Sequence, residues 1–274
     1  MPEWCLQVFF YYRIGARRMK EGQRLWTRDE LMLAINLYSK LPFGKMHRGN
    51  PDIIALSKII DRTPSSVAQK LVNFASFDPK LQERGIKGLG NTSKLDKEIW
   101  NEFNEHWDEL FIESEKQLAK HEGTTVEKKY EYETPVSYAG EEVVRSVIVR
   151  LNQSVFRKLV LSNFDNKCCI TGIDKPELLI AGHILPWSQD KGNRLNPRNG
   201  LLMSALHDKA FECGLITIDE DYKIMISSKL KSDRAVKSIE TSFNRYEGLS
   251  ILMPKKFLPA TEFLKVHRET RFRL

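Results

Sequence analysis

Three residues in one short stretch carry side chains suited to acid–base and metal chemistry: His183, Asn199 and His207. A neutral imidazole near pH 7 can take a proton from water and so generate a nucleophile. A divalent cation held opposite it would neutralise charge developing on a phosphate and stabilise the leaving oxygen. That pairing suits phosphodiester hydrolysis. An asparagine between the histidines can hydrogen-bond across the intervening loop and hold the base's strand in register. The same loop carries Lys191, Arg194 and Arg198, cations fit to grip backbone phosphates. The plain alternative is two core histidines and an unrelated loop asparagine.

The local pattern supplies a frame for this chemistry. Residues 178–184 form an apolar run fit for a strand, with His183 near its end and Pro186 to stop it. A polar loop over 188–198 contains glycine- and proline-punctuated turns, and residues 200–203 read as a second short strand. Ser204 can cap a helix that carries His207 and ends near Gly214. Strand, loop, strand, helix is a ββα unit, with the base on a strand and a metal ligand on the facing helix. Residues 215–218 and 223–226 then read as a hairpin across 219–221.

The strings AGHILPW, NPRNGLL and ALHDKAF followed by GLI resemble the HNH endonuclease family, in the branch fused to restriction-type DNA-binding domains. The likeness covers about 140–230, including Asn152-Gln153-Ser154, Phe156-Arg157 and the Cys168 to Gly172 stretch. It implies that His183 is the general base, Asn199 the structural middle residue and His207 a metal ligand. Two positions depart from the pattern. Many HNH enzymes carry an acid or histidine just before the base, where Gly182 stands, and some carry a histidine where Phe211 stands. Asp208, Asp190 or Glu177 are candidates to supplement the metal site. Magnesium or manganese is the expected ion, with zinc or nickel as alternatives that an imidazole ligand tolerates.

The first half reads as helical. Thr27 can cap a helix with apolar residues Leu31, Ala34, Ile35 and Tyr38 that stops before Pro42, and a short helix follows over 51–60. After a turn at 61–63, Thr63 as N-cap and Pro64 at the first helical position open another helix over 64–75. Helix, tight turn and helix make a helix-turn-helix, whose outer face would offer Arg62, Ser66, Gln69, Lys70 and Asn73 to DNA. Helical hairpins that touch no DNA have the same spacing, so packing alone remains the other reading. A long helix over 95–120 is expected to bury Ile99, Trp100, Phe103, Trp107, Leu110 and Phe111. The strings WTRDELMLAINLYSKLPFGKMHRGNP and RTPSSVAQKLVNFAS also resemble a domain fused to HNH nucleases, which implies a target-reading module.

The expected fold class is therefore α+β, an α-helical N-terminal domain followed by a ββα-metal nuclease domain. Residues 1–18 form an extended N-terminus, with Met19 as an alternative start; 19–120 are the helical domain, 121–142 a polar linker and 143–274 the nuclease domain. A chain of 274 residues accommodates two such units. Net charge of +7 favours a polyanionic partner, here double-stranded DNA, with a homodimer expected for cutting both strands. Cys5, Cys168, Cys169 and Cys213 form no C-x-x-C pair and make a poor disulfide framework, so Cys168 and Cys213 are read as packed residues in a reducing cytoplasm. Trp187 and His267 are read as packing or surface residues. The functional expectation is a metal-dependent DNA endonuclease of restriction type, with dependence on base modification as an open variant of that reading. A DNA-binding regulator with an inactive HNH-like domain and a nicking or homing nuclease are the rival readings.

Overall fold

The computed structural model describes residues 24–78, 81–82, 85, 92–129, 141–186, 189–231 and 236–273. Its first half is helical. In α1 (Arg28–Lys40) the Thr27 hydroxyl accepts from the Glu30 amide while the Glu30 carboxylate accepts from the Thr27 amide, satisfying two helix-start donors reciprocally. Leu41 leaves helical geometry ahead of Pro42, as the residue before a proline must. Asn50 caps α2 (Pro51–Ile59) and Thr63 caps α3 (Pro64–Phe74), each with proline at the start, so the helix-turn-helix spacing is realised.

Instead of one long helix over 95–120 there are two, α4 (Lys94–Glu105) and α5 (Trp107–His121). The chain breaks at His106 (φ −129°, ψ 47°), where no glycine or proline gives a signal. The break directs Trp107 into the core and puts Asp108 in the first turn of α5. α6 (Val126–Lys129) lies within the stretch read as linker, and 130–140 lie outside the described residues. The C-terminal half begins with α7 (Glu141–Asn163), a helix that the sequence reading did not assign. Its Val155, Phe156, Leu159 and Val160 recur at helical spacing and are buried.

The ββα unit follows as expected. β1 (Leu179–His183) and β2 (Gly200–Ser204) pair antiparallel, with Leu179 opposite Ser204 and His183 opposite Gly200, and α8 (Ala205–Glu212) follows directly. A hairpin of β3 (Ile216–Ile218) and β4 (Ile224–Ile226) comes next. α9 (Ser228–Lys231), α10 (Lys237–Ser242) and α11 (Thr261–Thr270) complete the described chain. Buried apolar residues from Leu31 to Leu264 form one continuous cluster across both halves.

Charged side chains tie the halves together. Lys256 is buried and donates to the Tyr38, Ser39 and Leu41 carbonyls at the end of α1, the negative end of that helix dipole. Burial pushes its pKa down to about 7, against the opposing pull of Asp78. Asp78 in turn accepts from the Phe257 amide at 3.3 Å, and Phe257 packs among Tyr38, Trp100 and Trp107.

The outer face of α3 is smaller than its spacing predicts. Gln69 is exposed and Ser66 half-buried, but Lys70 and Asn73 are buried. Lys70 Nζ stands 2.8 Å from both oxygens of Asp96, a fully buried carboxylate at the start of α4. A buried ammonium persists only when paired and hydrogen-bonded, and Asp96 is that pair. Arg62 donates to Glu30 Oε2 at 2.8 Å and to the Leu25 carbonyl at 2.7 Å, its guanidinium lying over Trp26. Three residues expected to face DNA, Arg62, Lys70 and Asn73, are thus engaged or enclosed within the helical half. Lys70 and Arg62 bind α3 and its turn to the rest of the helical half, and Asn73 is enclosed by it.

Lys70→Ala would leave Asp96 buried and uncompensated, and should lower the unfolding free energy by about 3–5 kcal/mol in a urea titration. DNA affinity of the folded variant should be unchanged. Unaltered stability with reduced, less salt-sensitive DNA binding would instead make Lys70 a phosphate contact.

Candidate active site

Successive strand residues face opposite sides, so His183 and Gly182 look toward different helices. On the His183 side lies α7. A Cβ on Gly200, across the hairpin from His183, would collide with Val160 and Phe156, so the glycine admits α7 at close range. Phe156 there lies parallel to the His183 ring, centroids 3.7 Å apart and planes 11° off. Burial lowers the His183 pKa, the hydrogen bond to the Arg194 carbonyl opposes this, and the Arg194 charge adds to the lowering. The ring is therefore neutral at pH 7. Its Nε2 lies 2.8 Å from the Arg194 carbonyl oxygen. Because that oxygen can only accept, Nε2 carries the hydrogen and the lone pair is on Nδ1.

Asn199 closes the loop that delivers this carbonyl. Its Oδ1 accepts from the Leu185 amide at 2.8 Å, and its Nδ2 donates to the Leu185 and Asn193 carbonyls at 3.3 and 3.2 Å. The Asn199 carbonyl accepts from Ile184. Asp190 is committed inside the same loop, accepting from the Gly192 amide and the Asn193 side chain. Asp190, a candidate metal ligand from the sequence, here shapes a turn. From the helical half, Asp108 Oδ1 accepts the Leu195 amide at 2.7 Å. Burial raises the Asp108 pKa to about 6, with the Leu195 and Arg194 amides opposing. Nothing in the spacing around Asp108 marks it as part of this site.

His207 is not among the residues that line the cleft beside His183. It is buried against Phe243 and Tyr246, with Nε2 2.7 Å from the Ser242 carbonyl and Nδ1 2.8 Å from Ser204 Oγ. The carbonyl requires hydrogen on Nε2, so the Ser204 hydroxyl donates to Nδ1 and fills the lone pair a metal would need. In this arrangement both ring nitrogens of His207, the residue expected as metal ligand, are engaged within the protein. Ser204, expected as a helix cap, makes no capping bond because its hydroxyl goes to His207. His267 has the same arrangement, between Thr217 and the Phe211 carbonyl, with its ring stacked on Phe211. It is a packing histidine.

At the Gly182–His183 end of β1, α8 brings oxygen donors next to the strand. Asp208 and Glu212, one turn apart on α8, line a cleft of about 220 Å³ together with Gly182, His183 and Arg271. Any side chain at position 182 would collide with Asp208 Oδ1. The missing side chain at 182 is thus answered by a carboxylate arriving from the helix. Burial raises the Asp208 pKa to about 6, Glu212 adds to the rise and Lys209 opposes it. Among the described residues no three His, Cys, Asp or Glu side chains form a ready-made metal cluster. The donors present are carboxylates beside an open cleft, which fits a hard ion that keeps several waters.

Glu177 is exposed before the start of β1, at the end away from His183. Arg194 and Arg198 are half-buried on the loop. Trp187 and the Lys191 side chain lie outside the described residues. Cys168 is buried and accepts from the Thr171 and Ser204 amides, whereas Cys213 is only half-buried. Arg157 donates to the Leu179 and Pro176 carbonyls and fixes α7 to the start of β1. Residues 168–219, which take in β1, β2 and α8, match the family model described as HNH endonuclease. No curated protein matches the chain.

The raised Asp208 pKa has a consequence for stability. Between the ordinary aspartate value and about 6 the native state holds a proton that the unfolded chain releases, so rising pH destabilises the fold. Asp208→Asn removes that penalty. It should stabilise the protein at pH 7.5, by roughly 1 kcal/mol after allowing for solvent screening, and the gain should vanish near pH 4. Thermal melts across this range check it, and a gain independent of pH would show that the carboxylate is not desolvated.

Proposed function

We propose that this chain is a metal-dependent endonuclease hydrolysing phosphodiester bonds in double-stranded DNA, with His183 as general base. The supporting observation is a half-buried, neutral imidazole with its lone pair on Nδ1, beside a cleft whose helical wall presents Asp208 and Glu212. His183 Nδ1 takes a proton from water, and the oxygen so activated attacks the phosphorus as the bridging oxygen departs. Phe156 holds the ring plane and excludes water from one face. The Arg194 carbonyl fixes the tautomer and can stabilise the imidazolium that forms, since Nε2–H remains its donor.

Asp208, supplemented by Glu212, is the proposed ligand pair in place of His207, and oxygen donors favour magnesium or manganese over zinc or nickel. When bound, the ion supplies charge neutralisation at the phosphate and at the departing oxygen. Arg194 and Arg198 add positive charge on the loop that would face the DNA backbone. A restriction-type role, target reading by the helical half and a homodimer for double-strand cutting belong to the same proposal. They rest on the sequence resemblance, with Gln69 exposed and Ser66 half-buried on α3. The unpaired Cys168 and Cys169 suit a reducing cytoplasm.

Conversion of supercoiled plasmid to nicked and linear forms tests the proposal. Wild type should cut with magnesium or manganese and stop with EDTA. His183→Ala should be ~100- to 10,000-fold slower while still binding DNA. Asp208→Ala should lose manganese binding, followed by electron paramagnetic resonance on the protein alone. Retained binding in Asp208→Ala, with loss in a folded His207→Ala, would return the ligand role to His207.

A further inference from the structure

A second cleft, of about 380 Å³, lies where the helical half meets the loop of the nuclease half. Half-buried Phe77 and Phe263 give it aromatic walls beside buried Trp100, which is itself stacked on Phe74 and Phe257, and Asn101, Asn104 and Arg198 bring amide and guanidinium groups. The Arg198 Nε–H is buried without a hydrogen-bond partner among the described residues. A buried N–H of that kind is costly unless a ligand acceptor reaches it. Asp78 and Glu262 also line the cleft. Two carboxylates against one arginine disfavour a phosphate, whereas a neutral planar ring with both donors and acceptors on its edge meets complementary groups.

We propose that this cleft is a nucleobase pocket, which takes one base extruded from the DNA duplex near the scissile phosphate. Aromatic faces replace the stacking that an extruded base loses, and the amides and Arg198 meet its hydrogen-bonding edge. The location couples the pocket to the chemistry. Asn193 and Asn196 line it, the Asn193 carbonyl accepts from Asn199, and the next carbonyl, that of Arg194, holds the His183 tautomer. Base capture and general base therefore share one loop. The inference rests on the reading of the chain as a DNA nuclease and adds to it a site that senses the identity of a base.

Photocrosslinking tests it with the full chain. A duplex carrying 5-iodouracil at one position at a time is bound to the His183→Ala protein, irradiated and mapped by peptide sequencing. One position should crosslink to Phe77, Trp100 or Phe263. In the same background Phe263→Ala should lose that crosslink and weaken binding roughly 5- to 150-fold, the range for removing one stacked aromatic. Asn101→Ala, at an exposed residue that cannot unfold the chain, should lower the crosslink yield even if Phe263→Ala proves unstable. Bound DNA with crosslinks only elsewhere, or with none, overturns the pocket while wild-type plasmid cleavage leaves the nuclease reading standing. A wild type that neither binds nor cuts any duplex overturns both.

Discussion

A single buried amide governs the geometry of the site. Asn199 is almost wholly enclosed, and its side chain grips Leu185 through both its amide and its carbonyl while reaching the Asn193 carbonyl. These bonds close the long connection between two short strands and so decide where the Arg194 carbonyl stands. That carbonyl in turn sets which nitrogen of His183 carries the proton. Asparagine is the side chain suited to the task, because the site needs one acceptor and two donors from one planar group. An aspartate would offer no donor, and a leucine would leave three backbone groups unsatisfied in a water-poor place.

The rest of the fold supports this loop from both sides. Helix α7 lays Phe156 against the imidazole, which Gly200 permits by having no Cβ. From the helical half, Asp108 accepts the Leu195 amide, Asp78 beyond α3 accepts the Phe257 amide, and Lys256 ties that segment to the end of α1. The helical half thus acts on the loop through named contacts, whatever else it does. The cost of the arrangement falls on desolvated carboxyls. Asp108 and Asp208 both have pKa values raised to about 6 by burial, a state that folding alone does not favour and that a bound cation at Asp208 would relieve.

Much of the fold was legible because local rules and tertiary packing agree. Thr27 with Glu30, Asn50 with Pro51 and Thr63 with Pro64 mark helix starts that the structure keeps. The strand ending at His183 and the helix after Ser204 also stand where spacing put them. What spacing cannot show is which way a polar residue faces. Lys70 sits at an outward position of an amphipathic helix, yet Asp96, distant in sequence, draws it inside. His207 and Asp208 are neighbours, and the helix turn sends the first toward Ser242 and the second over Gly182. The break at His106 and the arrival of Asp108 at the loop are likewise products of tertiary packing, with no local signal.

The central claim is that the chain holds His183 as a neutral base with hydrogen on Nε2 and its lone pair on Nδ1. Nitrogen-15 NMR of the histidine rings, titrated from pH 8 to pH 5 and assigned by comparison with His183→Ala, measures this directly. The account predicts the Nε2–H tautomer at pH 7 and protonation below the ordinary histidine range. A His183 ring that carries its hydrogen on Nδ1, or that is already cationic at pH 7, would contradict it.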